Sequence, residues 1–204
     1  MLLDFLMPAL CAGCGQSGGT LCPRCAAVIA TGDALVIGAS GIVPPMLALG
    51  SYEGALRAAI LALKFRGARG VGTLLGRWIS PRVIWPFELV IPVPLHAQRL
   101  RERGYNQAAL IARAVAAASR ARYAEDVLVR PRATVPQSSL GMAQRRANVD
   151  GAFGAGEMIG LVSGRRVLIV DDVVTTGATV GACAAILRAA GAHCLYVACA
   201  AIRL

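Results

Sequence analysis

Two carboxylates and a threonine-rich turn follow one another at the end of an apolar segment. Val167–Val170 is apolar throughout, Asp171 and Asp172 come directly after it, and Thr175–Thr179 contains three threonines and a glycine. Such an apolar run is typical of a strand buried on both faces, and open α/β sheets bind ligands at the carboxyl ends of such strands. Adjacent carboxylates there cost free energy unless they accept hydrogen bonds or face a cation. Ribose hydroxyls and Mg²⁺ supply both, so we expect a ribose site with Mg²⁺.

The threonine-rich turn has the properties of a phosphate site. Backbone N–H groups at the beginning of a helix have no partners within it, and the helix dipole favours an anion there. Gly177 permits close approach of the backbone, and threonine hydroxyls add donors. Alternatively, Thr175 or Thr176 only caps the helix and the aspartates are solvated, which explains single residues but not their order. The residues expected to bind the sugar phosphate are Val173, Val174, Thr175, Thr176, Gly177, Ala178 and Thr179.

Four of the seven cysteines form two Cys-x-x-Cys pairs, Cys11 with Cys14 and Cys22 with Cys25. A glycine in the first pair and a proline in the second let each pair turn sharply, and four thiolates form the closed shell typical of structural zinc. Two disulfides, an iron–sulfur cluster and a redox pair are the alternatives, and the spacing favours zinc. A unit of about 30 residues cannot bury a sufficient core. We therefore expect the metal to stabilise this unit, and the rest of the chain to have a separate core.

Arginines cluster after a predicted strand that ends near Val93, at Arg99, Arg101 and Arg103. A guanidinium group can engage two phosphate oxygens at once, as binding of a pyrophosphate requires. The alternative is an exposed basic beginning of a helix. We assign the ligand role to Arg103 and leave Arg99 and Arg101 undecided.

The composition is typical of a soluble globular protein. The chain has 204 residues, 56% of them hydrophobic, which suits one main domain with a small appendage. Its net charge of +10 favours polyanionic partners, although genome base composition also produces an excess of arginine over lysine. Every apolar run is shorter than the roughly 20 residues that span a bilayer. Residues 1–11 lack the basic start of an export signal, so we expect a mature N-terminus in the cytoplasm.

Strands and helices alternate along the predicted main domain. The glycine-rich stretch 31–45 predicts a linker with a boundary near residue 40, which gives a cysteine unit at 1–40 and a main domain at 41–204. The alternation indicates an α/β fold whose parallel sheet is flanked by helices. Residues 130–148 interrupt it and are numerous enough for a functional loop. The predicted strands are 46–52, 88–93, 127–130, 149–153, 166–171 and 194–201, and the predicted helices are 55–64, 68–79, 104–119 and 176–190.

These motifs resemble those of a known family. The segment 167–179 resembles the phosphoribosyl pyrophosphate (PRPP) motif of the type I phosphoribosyltransferases, and the whole chain is identified as a member of the ComF (ComFC) competence-associated branch. Besides the cysteines, the resemblance is carried by Tyr52-Glu53-Gly54, Lys64-Phe65, Pro92-Val93-Pro94, Arg103-Gly104-Tyr105-Asn106-Gln107 and Arg132 to Asn148.

The resemblance implies how PRPP would be held. Asp171 and Asp172 would be the catalytic residues and would contact the ribose hydroxyls. Thr175 to Thr179 would contact the 5′-phosphate, and the loop after the predicted strand 88–93 would hold pyrophosphate. The implied fold is that of the type I phosphoribosyltransferases.

The polar segment 132–148 resembles the flexible loop that closes over the substrate in phosphoribosyltransferases. Closure would exclude water from the reacting ribose carbon and bring positive charge to the departing pyrophosphate. The expected contacts are Gln137 and Arg145. The alternative is a basic surface loop without a role in binding.

Three functions agree with these expectations. The first is a phosphoribosyltransferase in which an unidentified acceptor attacks C1 of the ribose as Mg²⁺-pyrophosphate leaves. The second is a protein that binds single-stranded DNA, works with the competence helicase machinery in DNA uptake, and uses the sugar-phosphate site for sensing or binding. Aromatic residues make up 5% of the chain, few for a base-stacking platform. The third is a regulator that binds the ligand without catalysis.

Overall fold

A mainly parallel sheet forms the centre of the fold. The computed structural model describes residues 10–132 and 151–203. The strands are β1 (Leu35–Ile37), β2 (Met46–Ser51), β3 (Leu89–Pro92), β4 (Arg122–Tyr123), β5 (Leu128–Val129), β6 (Gly154–Ala155), β7 (Arg166–Val174) and β8 (Cys194–Ile202). Six of them form one sheet in the order β1-β2-β8-β7-β3-β4, while β5 and β6 form a separate antiparallel pair. All neighbours in the large sheet are parallel except β1 and β2.

Helices connect and cover these strands. The helices are α1 (Pro23–Thr31), α2 (Gly54–Phe65), α3 (Arg69–Ile79), α4 (Ala97–Arg103), α5 (Gln107–Ser119) and α6 (Ala178–Ala189), with 3₁₀ turns at Ser80–Arg82 and Ile159–Val162. The break between α4 and α5 has a clear local cause. Gly104 adopts a left-handed conformation with φ 78°, which ends α4, and the Asn106 side chain then accepts a hydrogen bond from the Ala108 N–H, which begins α5.

The core lies on both faces of the sheet. Successive side chains of a strand point to opposite faces, and β7 shows this directly. Leu168 and Val170 pack in the cluster that includes residues of α2, α3 and α5, whereas Val167 and Ile169 pack in the cluster that includes residues of α6. The predicted α/β fold with a parallel sheet flanked by helices is confirmed.

Some predicted elements differ from the structure. The stretch 31–45, predicted as a linker, contains β1, which pairs with β2 because the Ser40 and Val43 bridge closes a hairpin. The predicted strand at 127–130 is β5, which lies outside the large sheet. Residues 151–153 are not in a strand, β6 follows them, and 149 and 150 lie outside the described residues. Three short elements escaped the prediction: α1, α4 and β4.

The cysteine unit shares its core with the main domain, so the expectation of a separate core is wrong. Ala12 and Ile29 belong to the same buried cluster as Leu56, Ile60 and the centre of β7. The Arg82 side chain also donates a hydrogen bond to the Ala30 carbonyl oxygen at the end of α1. The physical reason is size, since so short a unit can bury the apolar side of α1 only against the main domain.

Helices α3 and α5 approach each other closely at Gly76. A Cβ atom there would lie against the Ile111 carbonyl oxygen and 2.6 Å from the Ala114 Cβ. We expect Gly76→Ala to lower the free energy of unfolding by about 1–3 kcal/mol, because overpacked atoms force the helices apart. Urea unfolding measures this. Gly160→Ala is the control, since a Cβ at Gly160 would meet no atom within 4 Å; equal effects of the two substitutions would contradict the packing argument.

Candidate functional site

Asp171 and Asp172 are buried within the central strand β7. The strand was predicted to end at Asp171, but it continues to Val174 because β8 pairs with it as far as Ile202. The two residues are 8% and 3% exposed. Their carboxylates are therefore more strongly desolvated than side chains beyond a strand end would be.

Lys64 neutralises one of these carboxylates. It lies in the last turn of α2, and its Nζ is 2.9 Å from Asp172 Oδ1. Burial alone would lower the pKa of the Lys64 amine, but Asp172 and Asp171 raise the pKa above its ordinary value. The sequence prediction did not assign Lys64 to the site. The available signal was that it is the only lysine in a chain whose other basic residues are arginines.

Asp171 is held differently from Asp172. Burial, and then the charge of Asp172, raise the pKa of Asp171 to about 7, although Lys64, the Asp172 backbone N–H and Arg130 oppose the rise. That N–H donates to Asp171 Oδ1 at 2.8 Å. Asp172 Oδ2 is buried and has no hydrogen-bond partner among the described residues. A carboxylate oxygen in this state fits a ligand hydroxyl group or a cation.

A turn leads from β7 into α6 beside these carboxylates. Gly177 has φ 76°, and a Cβ there would lie 2.9 Å from the Val43 Cγ2, so this position requires glycine on both grounds. The Ala178 N–H points to Thr176 Oγ1 at 3.5 Å, a long contact. A small pocket is lined by Asp171, Val173, Val174, Thr175, Gly177, Ala178, Thr179 and Val180. The structure thus brings the carboxylate and the predicted phosphate-binding turn into one pocket.

Of the three clustered arginines, Arg103 lies in the surroundings of the carboxylates. Burial lowers the pKa of its guanidinium, and the charge of Asp172 acts in the opposite direction. Arg103 Nη1 donates a hydrogen bond to Gln107 Oε1. Arg99 instead pairs with Glu102 at the surface, at 3.3 Å, and Arg101 is exposed. Gln137 and Arg145, the expected lid contacts, lie outside the described residues, as does the rest of 133–150.

Arg130 is a second residue that the sequence prediction missed. Its charge lowers the pKa of Asp171, and its guanidinium carbon lies 5.0 Å from the centre of the Phe153 ring. Arg130 follows β5 and Phe153 precedes β6, so the small antiparallel pair positions this charge. Sequence spacing gives no sign of such a contact.

The four N-terminal cysteines meet in one cluster. All four sulfur atoms lie within 4.8 Å of one another, and Cys14 Sγ is 3.7 Å from Cys22 Sγ. Tetrahedral bonds of about 2.3 Å from a metal to sulfur put the sulfurs roughly 3.8 Å apart, so the cluster fits a metal ion. Gly13 allows this approach, since a Cβ there would lie 2.9 Å from Cys25 Sγ.

Backbone N–H groups donate hydrogen bonds to the sulfur of Cys11. The N–H groups of Gly13 and Cys22 point to Cys11 Sγ at 3.3 and 3.2 Å. Burial opposes ionisation of this thiol, but the backbone hydrogen bonds, together with one from Cys14, lower its pKa to about 6. Because the thiolate is the form that binds metal, this arrangement favours ligation.

The comparisons with known proteins agree with the fold. Residues 96–203 match the phosphoribosyl transferase domain. The chain therefore belongs to the phosphoribosyl transferase domain family.

Curated relatives place the chain more narrowly. It is 30% identical to "DNA utilization protein YhgH" of Escherichia coli strain K12 over 203 residues, or 94% of this chain and 88% of the relative. It is 34% identical to "Competence protein F" of Haemophilus influenzae over 110 residues, or 54% of this chain and 48% of that protein. Within the phosphoribosyl transferase family the chain is a member of the ComF branch.

Solved structures show a distant likeness in fold. Glutamine phosphoribosylpyrophosphate (PRPP) amidotransferase from B. subtilis, complexed with ADP and GMP, matches 65% of this chain with a TM-score of 0.46 and 22% identity. This chain spans only 26% of that structure. Among the described residues, no helix combines the length and the apolar character that crossing a membrane requires.

The raised pKa of Asp171 predicts how stability depends on pH. Since the folded protein holds this proton more tightly than the unfolded chain does, the contribution of Asp171 to stability is fully present below about pH 4 and is lost as the pH rises through about 7. Asp171→Asn removes that contribution, so the variant gains stability relative to the wild type between pH 4 and 7. Urea unfolding at a series of pH values measures the difference.

Glu88→Gln is the control for this experiment. Glu88 is exposed, and the backbone N–H and side chain of Arg166 lower its pKa. The contribution of Glu88 to the free energy of unfolding is present at neutral pH, and it is lost only when the pH falls below the usual pKa of a glutamate. Its curve should therefore run parallel to that of the wild type between pH 5 and 8. An Asp171→Asn curve that is also parallel would refute the pKa assignment.

Proposed function

We propose that the protein binds PRPP with Mg²⁺ and transfers its phosphoribosyl group to an acceptor that is still to be identified, in a DNA-uptake context. One observation carries the proposal: Asp171 lines one pocket with the threonine- and glycine-rich turn at the beginning of α6, and the adjacent buried carboxylate of Asp172 has an oxygen without a partner among the described residues. Membership of the phosphoribosyl transferase domain family supports the same reading.

Each part of the site has a role in this proposal. Asp171 and Asp172 accept hydrogen bonds from the ribose hydroxyls, and Lys64, 2.9 Å from Asp172 Oδ1, leaves the other oxygen of Asp172 available for that purpose. Backbone N–H groups and hydroxyls of Thr175–Thr179 bind the 5′-phosphate. Arg103 provides positive charge for the pyrophosphate. Mg²⁺ bound with the substrate would neutralise the pyrophosphate and make it a better leaving group.

The reaction is a substitution at C1 of the ribose. A lone pair of the acceptor forms the new bond to C1 as the bond from C1 to the pyrophosphate oxygen breaks, and the pyrophosphate takes that electron pair. The protein accelerates this step by fixing the ribose and by stabilising the leaving charge. None of the described side chains is required to form a covalent bond.

A second candidate function is binding of single-stranded DNA, with the sugar-phosphate site used for sensing or binding. The names of the relatives, DNA utilization protein and competence protein, favour this candidate. The net charge of +10 agrees with a polyanionic partner. We propose the competence helicase machinery as a further partner and the cytoplasm as the location.

We propose that the ion in the cysteine cluster is zinc. Four cysteines leave no position open for a substrate, which is the arrangement of a structural site. The cluster packs against Ala55 at the beginning of α2, so the ion would stabilise the attachment of residues 10–31 to the main domain.

Loss of one cysteine should release the metal. We expect purified wild-type protein to contain one zinc per chain and Cys14→Ser to contain much less, because three sulfurs bind zinc far more weakly than four. Since Ile29 shares the main core, the variant should also unfold at a lower urea concentration. Metal analysis and urea unfolding test both. Cys194→Ser, outside the cluster, is the control; wild-type protein purified without oxygen or chelator that lacks zinc would refute the assignment.

Removal of the two carboxylates should abolish binding of PRPP. We expect Asp171→Asn with Asp172→Asn to weaken calorimetric binding of PRPP with Mg²⁺ by at least about 100-fold, because each charged hydrogen bond to a hydroxyl contributes about 1.5–3 kcal/mol. Asp171→Asn alone, which keeps the Lys64 and Asp172 ion pair, should be affected less.

The control for the binding experiment is Glu88→Gln, which changes an exposed carboxylate beside Arg166 at the beginning of the same strand. It should bind PRPP like the wild type. Pyrophosphate release in the presence of candidate bases and DNA then tests transfer. If the double variant remains folded and binds PRPP with unchanged affinity, the site assignment is wrong.

A further inference from the structure

The last turn of α2 is fixed by three consecutive residues. The Leu63 carbonyl oxygen accepts a hydrogen bond from the buried Tyr105 hydroxyl. Lys64 turns inward to Asp172, at 2.9 Å. Phe65 turns outward, and the guanidinium carbon of Arg103 lies over its ring, 5.5 Å from the ring centre. The backbone that leads to Phe65 is therefore held without help from the ring itself.

Phe65 is a large aromatic side chain that the fold leaves in solvent. It is 69% exposed and takes no part in the core. A single exposed apolar residue is common and needs no explanation. Phe65 differs because a cation lies over its ring and because Gln107 holds that cation through a hydrogen bond to Arg103 Nη1. The ring is thus presented to solvent in a fixed setting.

The surroundings of the ring are basic and are linked to the proposed site through Lys64, the residue before Phe65, whose Nζ is 2.9 Å from Asp172 Oδ1. Arg66 follows Phe65 directly and is exposed. The charge of Asp172 acts on Lys64, which precedes the ring in sequence, and on Arg103, which lies over the ring. A ligand on the ring would therefore meet positive charge, with Asp172 beyond Lys64.

We propose that Phe65, with Arg103 behind it, is a stacking platform for a nucleobase at the rim of the Asp171 and Asp172 site. A nucleobase offers the flat face that stacks on an exposed ring, and its attached phosphates suit the neighbouring arginines. The cation over the ring adds to the attraction. This proposal rests on the proposed function in one respect, since a sugar phosphate in the pocket would bring a base or an acceptor to this rim.

Direct binding tests the platform without any reaction. Labelled oligothymidylate and an abasic oligomer with the same number of phosphates are titrated by fluorescence anisotropy, and a nucleoside monophosphate is titrated by calorimetry. We expect Phe65→Ala and Phe65→Leu to weaken oligothymidylate binding about 5- to 100-fold, since stacking on an aromatic ring contributes to that extent. Phe65→Tyr keeps a ring and should bind within about twofold of the wild type. Affinity for the abasic oligomer should not change.

Ile84→Ala is the matched control, because Ile84 is 70% exposed and precedes β3. It should bind all probes like the wild type. Equal dependence on Phe65 for the monophosphate and the oligomer identifies a small-molecule ligand, whereas dependence for the oligomer alone identifies a strand. Unchanged oligothymidylate affinity in Phe65→Ala, equal loss for the abasic oligomer, or no binding of any probe to the wild type would each overturn the platform.

PRPP titration of the same variants keeps the two proposals apart. A Phe65→Ala protein that binds PRPP but has lost base binding supports the platform. Failure of PRPP to bind the wild type, combined with base binding that depends on Phe65, would refute the proposed sugar-phosphate function and leave the platform standing.

Discussion

Two adjacent carboxylates buried in the central strand are the constraint on which the arrangement of this site depends. Asp171 and Asp172 replace apolar side chains where β7 is covered by neighbouring strands, and there charged groups lose most of their hydration. The fold compensates unequally: Lys64 pairs with Asp172, whereas burial and the charge of Asp172 raise the pKa of Asp171 to about 7. Asp172 Oδ2 is buried and has no hydrogen-bond partner among the described residues. This free acceptor makes the site suited to a ligand that can donate a hydrogen bond.

Helix α2 connects the buried carboxylates to the cysteine cluster, because its two ends contact one each. Ala55, near its beginning, packs against the cysteines, and Lys64, in its last turn, reaches Asp172. Because Ile29 of α1 also lies in the core below α2, the cysteine unit supports the helix that delivers the compensating charge. The unit is thus an integral support of the main domain, which a separate appendage could not be.

The sequence was sufficient for those features that depend on local pattern. The apolar run of β7, the turn at Gly177 and the spacing of the four cysteines each predict their structure from residues close in the chain, and the α/β alternation predicts the sheet. The hairpin that places β1 beside β2 was not predictable, since Ser40 and the glycines on either side of it are equally typical of a linker. Short elements such as α4 and β4 were also not predicted. A 3.6-residue or 2-residue period of apolar side chains can be recognised only when the helix or strand is several turns or residues long.

Contacts between distant residues explain the remaining differences. Lys64 and Asp172 are joined by tertiary packing alone, as are Arg130 with Asp171 and Arg103 with Phe65. An aromatic content of 5% argued against a stacking platform, but composition averages over the chain, whereas stacking requires one fixed, exposed ring beside a cation. Phe65 meets that requirement because Tyr105, Arg103 and Gln107 belong to one short segment that folds against the end of α2. The segment that resembles the family motif, 103–107, therefore fixes the last turn of α2 through Tyr105 and Arg103, and it also provides positive charge.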